Sequence, residues 1–295
     1  MTTAREIVRR RKSVANIRKV TKTMEMIATA RFKKAHDRSV GTKPYTEKIT
    51  QLSYRLSADG RSEGHPLTQV NEQSGRTVLL VLTGNRGLCG GFNSSIMRLA
   101  CRQIEKLQQA GRQVDLRVSG KKGQQGFTYK GYTPAGRYTH FDEKTRYEAV
   151  EALANEFIEL YTGRQIDAVQ VVYTRFISSA WQHAELLSLL PLRELNEEGE
   201  TEEPLPATDI GFYDFYPSAK ELLEELIPMT VRTRLFQCFM DAIVSEQVAR
   251  MSAMKAATDN AEQMIGALTR QYNRARQSQI TGELLDIIGG AEALR

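Results

Sequence analysis

The chain has 295 residues, of which 41 are Lys or Arg and 35 are Asp or Glu, giving a formal net charge of +6. An apolar share of 41% supports a packed core and excludes a disordered chain. The longest apolar run, Val78–Leu82, falls far short of the roughly 20 residues of a membrane helix, which excludes a helical span.

Cys89, Cys101 and Cys238 are odd in number and widely spaced, with no C-x-x-C pair. That pattern excludes a disulfide framework and a zinc ribbon, and it fits a reducing compartment. The residues after Met1 are polar and charged, with no apolar stretch before a cleavage site, so no secretory leader is expected. Charge is segregated. Residues 5–38 hold twelve bases against three acids, and residues 194–225 hold eleven acids against one base, Lys220. A basic element meeting an acidic partner is one reading of this asymmetry, and a solvated basic helix face is the other.

In chain order, the first predicted element is a helix from about Ala4 to Ser57. No Gly or Pro occurs before Val40, and Ile7, Val14, Ile17, Met24, Ala28 and Ala35 recur on a 3.5-residue stripe, with Arg10, Thr21 and Arg31 filling the remaining positions. Gly41-Thr42-Lys43-Pro44 predicts a kink or break before a second helical piece, Tyr45–Leu56. After a polar loop comes a buried strand, Val78–Thr83, then an amphipathic helix, Ser94–Gln109, and a second strand, Val114–Ser119. A helix at Lys144–Tyr161, a strand at Ala168–Tyr173 and an apolar stretch at Ala184–Leu190 complete a segment whose alternation implies a mostly parallel sheet. The last element is more regular. From Met229 to Thr281 there is one Gly and no Pro, and Val244, Gln247, Met251, Met254, Thr258, Ala261, Ile265, Leu268, Tyr272 and Ala275 follow alternating steps of three and four. That is a coiled-coil seam. At 1.5 Å per residue this stretch is about 80 Å long, so it is expected to protrude from a domain only about 50 Å across. The shared heptad-type period of the terminal helices predicts an antiparallel pair. The divisions expected are residues 1–57, the N-terminal helix; 76–193, an α/β domain; 194–217, an acidic connector; and 218–295, the C-terminal helix.

Candidate chemistry is sparse. Gly84-Asn85-Arg86-Gly87-Leu88-Cys89-Gly90-Gly91 lies between a strand and a helix, where a phosphate cradle would sit, but it matches neither G-x-G-x-x-G nor G-x-x-x-x-G-K-[S/T]. Gly120–Gly126 fails the same patterns. A tight strand-to-helix turn is the reading favoured for the first cluster. Four scattered histidines form no metal or acid–base motif, Cys89 reads as a small packed side chain, and Met251, Met254 and Met264 read as core filler. No catalytic constellation is expected, and neither a cofactor nor a metal is assigned. Two binding readings remain: a basic coiled coil on nucleic acid, and an elongated shaft that contacts protein partners.

Four blocks decide between them. Residues 21–34 (TKTMEMIATARFKK), 86–93 (RGLCGGFN), 245–260 (SEQVARMSAMKAATDN) and 272–283 (YNRARQSQITGE) resemble, in order, motifs of the gamma subunit of F-type ATP synthases, spread over essentially the whole chain. The resemblance implies an antiparallel coiled coil of the terminal helices on a central Rossmann-like α/β domain. It implies a rotary shaft without catalysis of its own, present once per complex. Its partners would be the alpha and beta subunits of the catalytic ring, epsilon and the c-ring, with no nucleic acid and with membrane contact only through the complex at the cytoplasmic face of a bacterial inner membrane. By motif, Lys22, Met24, Glu25 and Ile27, with Arg276, Gln277, Thr281 and Glu283, correspond to positions that touch the ring. Ile287, Ile288, Ala291 and Leu294 fall at the tip, in an apolar bearing. Gly282 and Arg295 have no place in the pattern. The cysteine pair of chloroplast-type members is missing around Gly199–Leu205, so their redox switch is not expected.

Overall fold

The computed structural model describes residues 4–56, 65–143, 145–192 and 219–292. The acidic connector and Leu294 lie outside the described residues. Contacts divide the chain into two units, Met1–Ala30 with Arg250–Arg295 and Arg31–Ala249, and the boundary falls inside both long helices.

The larger unit is built on a five-stranded sheet of β1 (Arg76–Leu82), β2 (Gln113–Ser119), β3 (Gly136–Tyr138), β4 (Ala168–Phe176) and β5 (Gln182–Leu190), in the order β3-β2-β1-β4-β5. The first four strands in this order pair in parallel, and β5 pairs antiparallel to β4. Central β1 shows why its sequence is apolar throughout. Leu79 and Val81 face α2 (Phe92–Gln109) and α3 (Lys121–Tyr129), where they pack with Ile96, Ile104 and Phe127. Val78, Leu80 and Leu82 face the opposite layer, with Val150 and Phe157 of α4 (Tyr147–Thr162) and Ile227, Val231 and Leu235 of α5 (Ala219–Glu292). A strand covered on both faces has no side left for polar alternation.

The structure departs from the sequence reading at two helices. First, α1 runs unbroken from Ala4 to Leu56 with Pro44 inside it. Pro44 forgoes one backbone bond, and the carbonyl it leaves belongs to exposed Val40, where water can take it. Second, residues 121–129 form a helix, α3, that the glycines at 120, 123 and 126 concealed. Gly120 adopts φ +97°, and a Cβ there would collide with the Thr83 carbonyl; a Cβ on Gly126 would meet Met97 Sδ. These glycines bring α3 close to β1 and α2 rather than breaking a helix. Helix α5 begins at Ala219, ten residues before the Met229 at which its regular pattern starts, with Pro228 inside.

Candidate functional site

The glycine turn after β1 is occupied by the protein itself. The Gly84 N–H donates to Asn93 Oδ1 at 2.9 Å, and a Cβ on Gly84 would lie 2.6 Å from Glu246 Oε1 of α5. At the start of α3, the N–H groups of Lys121, Lys122 and Gly123 donate to Asn85 Oδ1, the Gly84 carbonyl and Thr83 Oγ1 at 3.1, 3.2 and 3.0 Å. These four amides are thus engaged within the protein, and a carboxylate lies beside Gly84. Cys89 is buried and accepts from Asn93 Nδ2 at 3.2 Å, a packed side chain as its neighbours implied. Among the described residues no group of three His, Cys, Asp or Glu could hold a metal.

Interaction chemistry lies instead in the unit formed by the start of α1 and the end of α5. Ile7 and Val14 of α1 bury against Ala261 and Leu268 of α5, flanked by Ile265, Tyr272 and Ala275. Thr258 Oγ1 donates to Thr21 Oγ1 at 2.8 Å, Arg18 pairs with Glu262 at 3.4 Å, and the Arg11 guanidinium lies 5.6 Å from the Tyr272 ring centre. Moving towards the N-terminus of α1 meets residues ever further along α5, so the pair is antiparallel. The α5 seam is the one its spacing predicts: all ten positions from Val244 to Ala275 are buried or half-buried.

On α1 the first seam row holds, with Ile7, Val14, Thr21, Ala28 and Ala35 all buried, whereas the second is half-buried at Met24 and Arg31 and fails at its other two positions. Ile17 is 54% exposed and Arg10 is exposed. A more continuous half-buried row is Ala4, Arg11, Arg18, Glu25 and Phe32, the last four of which lie four residues on from a buried position rather than three. Arg and Glu can flank a seam because their stems cover apolar surface while their heads reach Tyr272, Glu262 or water. Met264, read as filler, is 46% exposed.

Of the four α1 positions singled out by motif, Lys22 and Ile27 are exposed, Met24 is half-buried beside the seam, and the Glu25 side chain is only 16% exposed. Glu25 accepts both contacts of the Lys22 ammonium, at 3.1 and 3.2 Å. Val20 and Met26, which the stripe missed, join Ile17 and Ile27 as exposed apolar residues among lysines and arginines.

The end of α5 behaves differently. Since α1 starts at Ala4, about two turns before Arg11, α5 runs past the described part of α1 from about residue 280, an overhang of about 20 Å. Arg276, Gln277, Thr281, Glu283, Ile287, Ile288 and Ala291 are all exposed there. Gln279 Nε2 donates to Glu283 Oε1 at 2.9 Å. Continuing the seam beyond Ala275 lands on Gln279, Gly282, Asp286 and Gly289, whereas the apolar residues Ile280, Leu284, Leu285, Ile287, Ile288 and Ala291 all fall off that line. The overhang therefore carries an apolar face that does not continue the seam facing α1. That phase change is readable in the sequence, and it would have added Ile280 and Leu284 to the tip.

A family model described as ATP synthase matches residues 3–294. The chain is 47% identical to the ATP synthase gamma chain of Rhodopirellula baltica, over 100% of this chain and 99% of the relative. It is 37% identical to that of Leptospira biflexa, with both chains fully covered. In fold it is similar to a chain of the Euglena gracilis mitochondrial ATP synthase OSCP/F1/c-ring assembly, with a TM-score of 0.63, 18% identity and 99% and 94% of the two chains covered. A second similar chain comes from the central stalk and c-ring of Tetrahymena thermophila mitochondrial ATP synthase, with a TM-score of 0.58, 19% identity and 81% and 99% coverage. With sequence blocks, sheet and coiled coil in agreement, the chain belongs to the ATP synthase gamma-chain family.

Proposed function

We propose that this chain is the central rotary shaft of an F-type ATP synthase, turning within a ring of alpha and beta subunits and standing with epsilon on the c-ring. It carries rotation between ion flow and ATP synthesis or hydrolysis and performs no catalysis itself. The observation that carries the reading is the overhang of α5: a single helix continuing past α1, with an apolar face turned away from the coiled-coil seam, on a chain that matches gamma chains over its whole length. Apolar contact is non-directional, so a surrounding sleeve can hold such a tip while letting it turn.

The coiled coil supplies the other half of the mechanism. Its outer surface is uneven, with exposed Lys22 and Ile27 on one helix and exposed Arg276, Gln277, Thr281 and Glu283 on the other. One uneven shaft in a ring of three similar catalytic sites presents a different surface to each, which biases each towards a different state. Leu294 is assigned to the tip on the same motif grounds. The place of action would be the cytoplasmic face of a bacterial inner membrane, reached through the c-ring; among the described residues no helix is long and apolar enough to cross a membrane. The nucleic-acid reading gains nothing from the comparisons, since the relatives named are gamma chains.

The test is purification of the tagged chain from native membranes, with its companions identified by mass spectrometry. Alpha, beta, epsilon and c subunits are expected together, with this chain at one copy per complex. Recovery of the chain without any of them would sink the proposal.

A further inference from the structure

The loop between β3 and α4 carries one carboxylate to which both long helices reach. Arg31 Nη1 of α1 lies 2.5 Å from Glu143 Oε1, and Gln247 Nε2 of α5 donates to the same oxygen at 3.4 Å. Arg38, seven residues after Arg31 and on the same face of α1, donates to the backbone carbonyls of Glu143 and Thr145 at 3.0 and 2.8 Å. Behind the loop, the Phe141 ring lies 4.5 Å from that of Phe239 on α5. Arg31 is the first residue of the α/β unit, and Gln247 lies close to its last, Ala249. The other side chains that α1 contributes here include Phe32 and Ala35, which enter the apolar core. Such contacts resist separation but have little direction, whereas charge-assisted hydrogen bonds fix an orientation. Arg31 and Glu143 are each about one-third exposed, more shielded than a surface pair.

We propose that Glu143 is a positioning residue of the shaft, locking α1 to α5 through the β3–α4 loop so that both helices leave the α/β unit as one torsional element. The inference rests on the shaft reading above. Without the lock, α1 keeps the Arg38 bonds to the loop backbone and the Gln237–Ser39 contact but turns more freely about its own axis against its apolar neighbours.

The test uses assembled complexes fixed by the catalytic ring, with a rod attached at a Tyr129→Cys site. Tyr129 is 94% exposed and the three native cysteines of this chain are buried, so within this chain the label goes to one place. Angular fluctuation of the rod is recorded during the dwells between steps. Glu143→Ala is expected to raise the angular variance roughly twofold, because one of the directional ties between the helices is gone. The paired exchange Arg31→Glu with Glu143→Arg is expected to restore it, and the introduced guanidinium can also donate to Gln247 Oε1, which has no partner among the described residues. A merely structural role would lower yield and thermal stability and leave the variance of assembled complexes unchanged; that result overturns the proposal, as does a variance that stays raised in the exchanged pair. Should Glu143→Ala fail to assemble, Arg31→Gln, which leaves the loop intact, is read by the same criterion. A wild-type rod that never turns with ATP defeats the shaft reading itself, while a turning rod with equal variance in all variants defeats only the lock.

Discussion

Asp167, just before β4, is buried and accepts three hydrogen bonds: from the Ser74 N–H at 2.9 Å, the Ser74 hydroxyl at 2.8 Å and the Gly75 N–H at 2.8 Å. Burial alone would raise its pKa, but these donors and the charge of Arg112 together outweigh it and hold the carboxyl below its ordinary range. A folded-state pKa below the unfolded one stabilises the fold above the unfolded value, and the gain is lost as pH falls towards the folded value. Asp167→Asn is expected to cost about 2–3 kcal/mol at neutral pH, because an amide NH2 would face a donor. The gap from wild type should close as pH falls below about 4, read by denaturant melts across pH. Thr21 and Thr258 behave oppositely. Each hydroxyl can donate to a carbonyl of its own helix, Thr21 to Arg18 at 3.1 Å and Thr258 to Met254 at 2.9 Å, so neither depends on the other. Thr21→Val and Thr258→Val should each change stability by about 1 kcal/mol or less, and the double variant should melt at or above wild type.

At the scale of elements, the overhang of α5 separates folding from function. Leu284 and Ile287 are 54% and 68% exposed, so Leu284→Asp with Ile287→Asp should leave the melting of the isolated chain within about 0.5 kcal/mol of wild type. In membranes reconstituted with the whole complex, the same pair should abolish or strongly reduce ATP-driven ion pumping, because two carboxylates would enter an apolar sleeve. Equal pumping would show that this face meets nothing. Elements like these were legible where one force dominated. Continuous apolar residues marked β1, and steps of three and four marked the α5 seam, because burial sets both patterns. The N-terminal seam was only half legible: Ile17 looked like a seam residue, but long arginine stems at positions 11 and 18 do that work and leave Ile17 outside. Helix α3 was not legible, because glycine in sequence signals a break while Gly120, Gly123 and Gly126 here serve close approach to Thr83 and Met97. Lys22 and Ile27 were marked as contact positions by motif, and the i,i+3 spacing of Lys22 and Glu25 already allows the ion pair that the structure shows.

For the molecule as a whole, the two units divide the tasks. The α/β unit has the layout of a nucleotide-binding sheet, yet its two glycine turns are filled by Asn93, Asn85, Thr83 and Glu246. Calorimetric titration of the pure chain with Mg-ATP is expected to give no heat of binding in the micromolar range; a clear isotherm would mean that the turns open and that the chain holds nucleotide itself. The coiled-coil unit ends in a helix that lacks a described partner and contains Gly282, Gly289 and Gly290, each with open space where a side chain would be. Each glycine weakens a helix by about 0.8–1 kcal/mol relative to alanine, and a short segment without tertiary support is marginal in water. In the free chain, then, the last turns should exchange their amide hydrogens fastest of any part of α5, and slow only once enclosed. On the proposed reading, enclosure by the ring would have to supply the entropy of ordering them, so a sleeve would hold the tip less tightly than its apolar area alone implies. A tip that frays can also thread into a narrow opening one turn at a time, which makes assembly around a finished shaft a matter of kinetics as much as of fit.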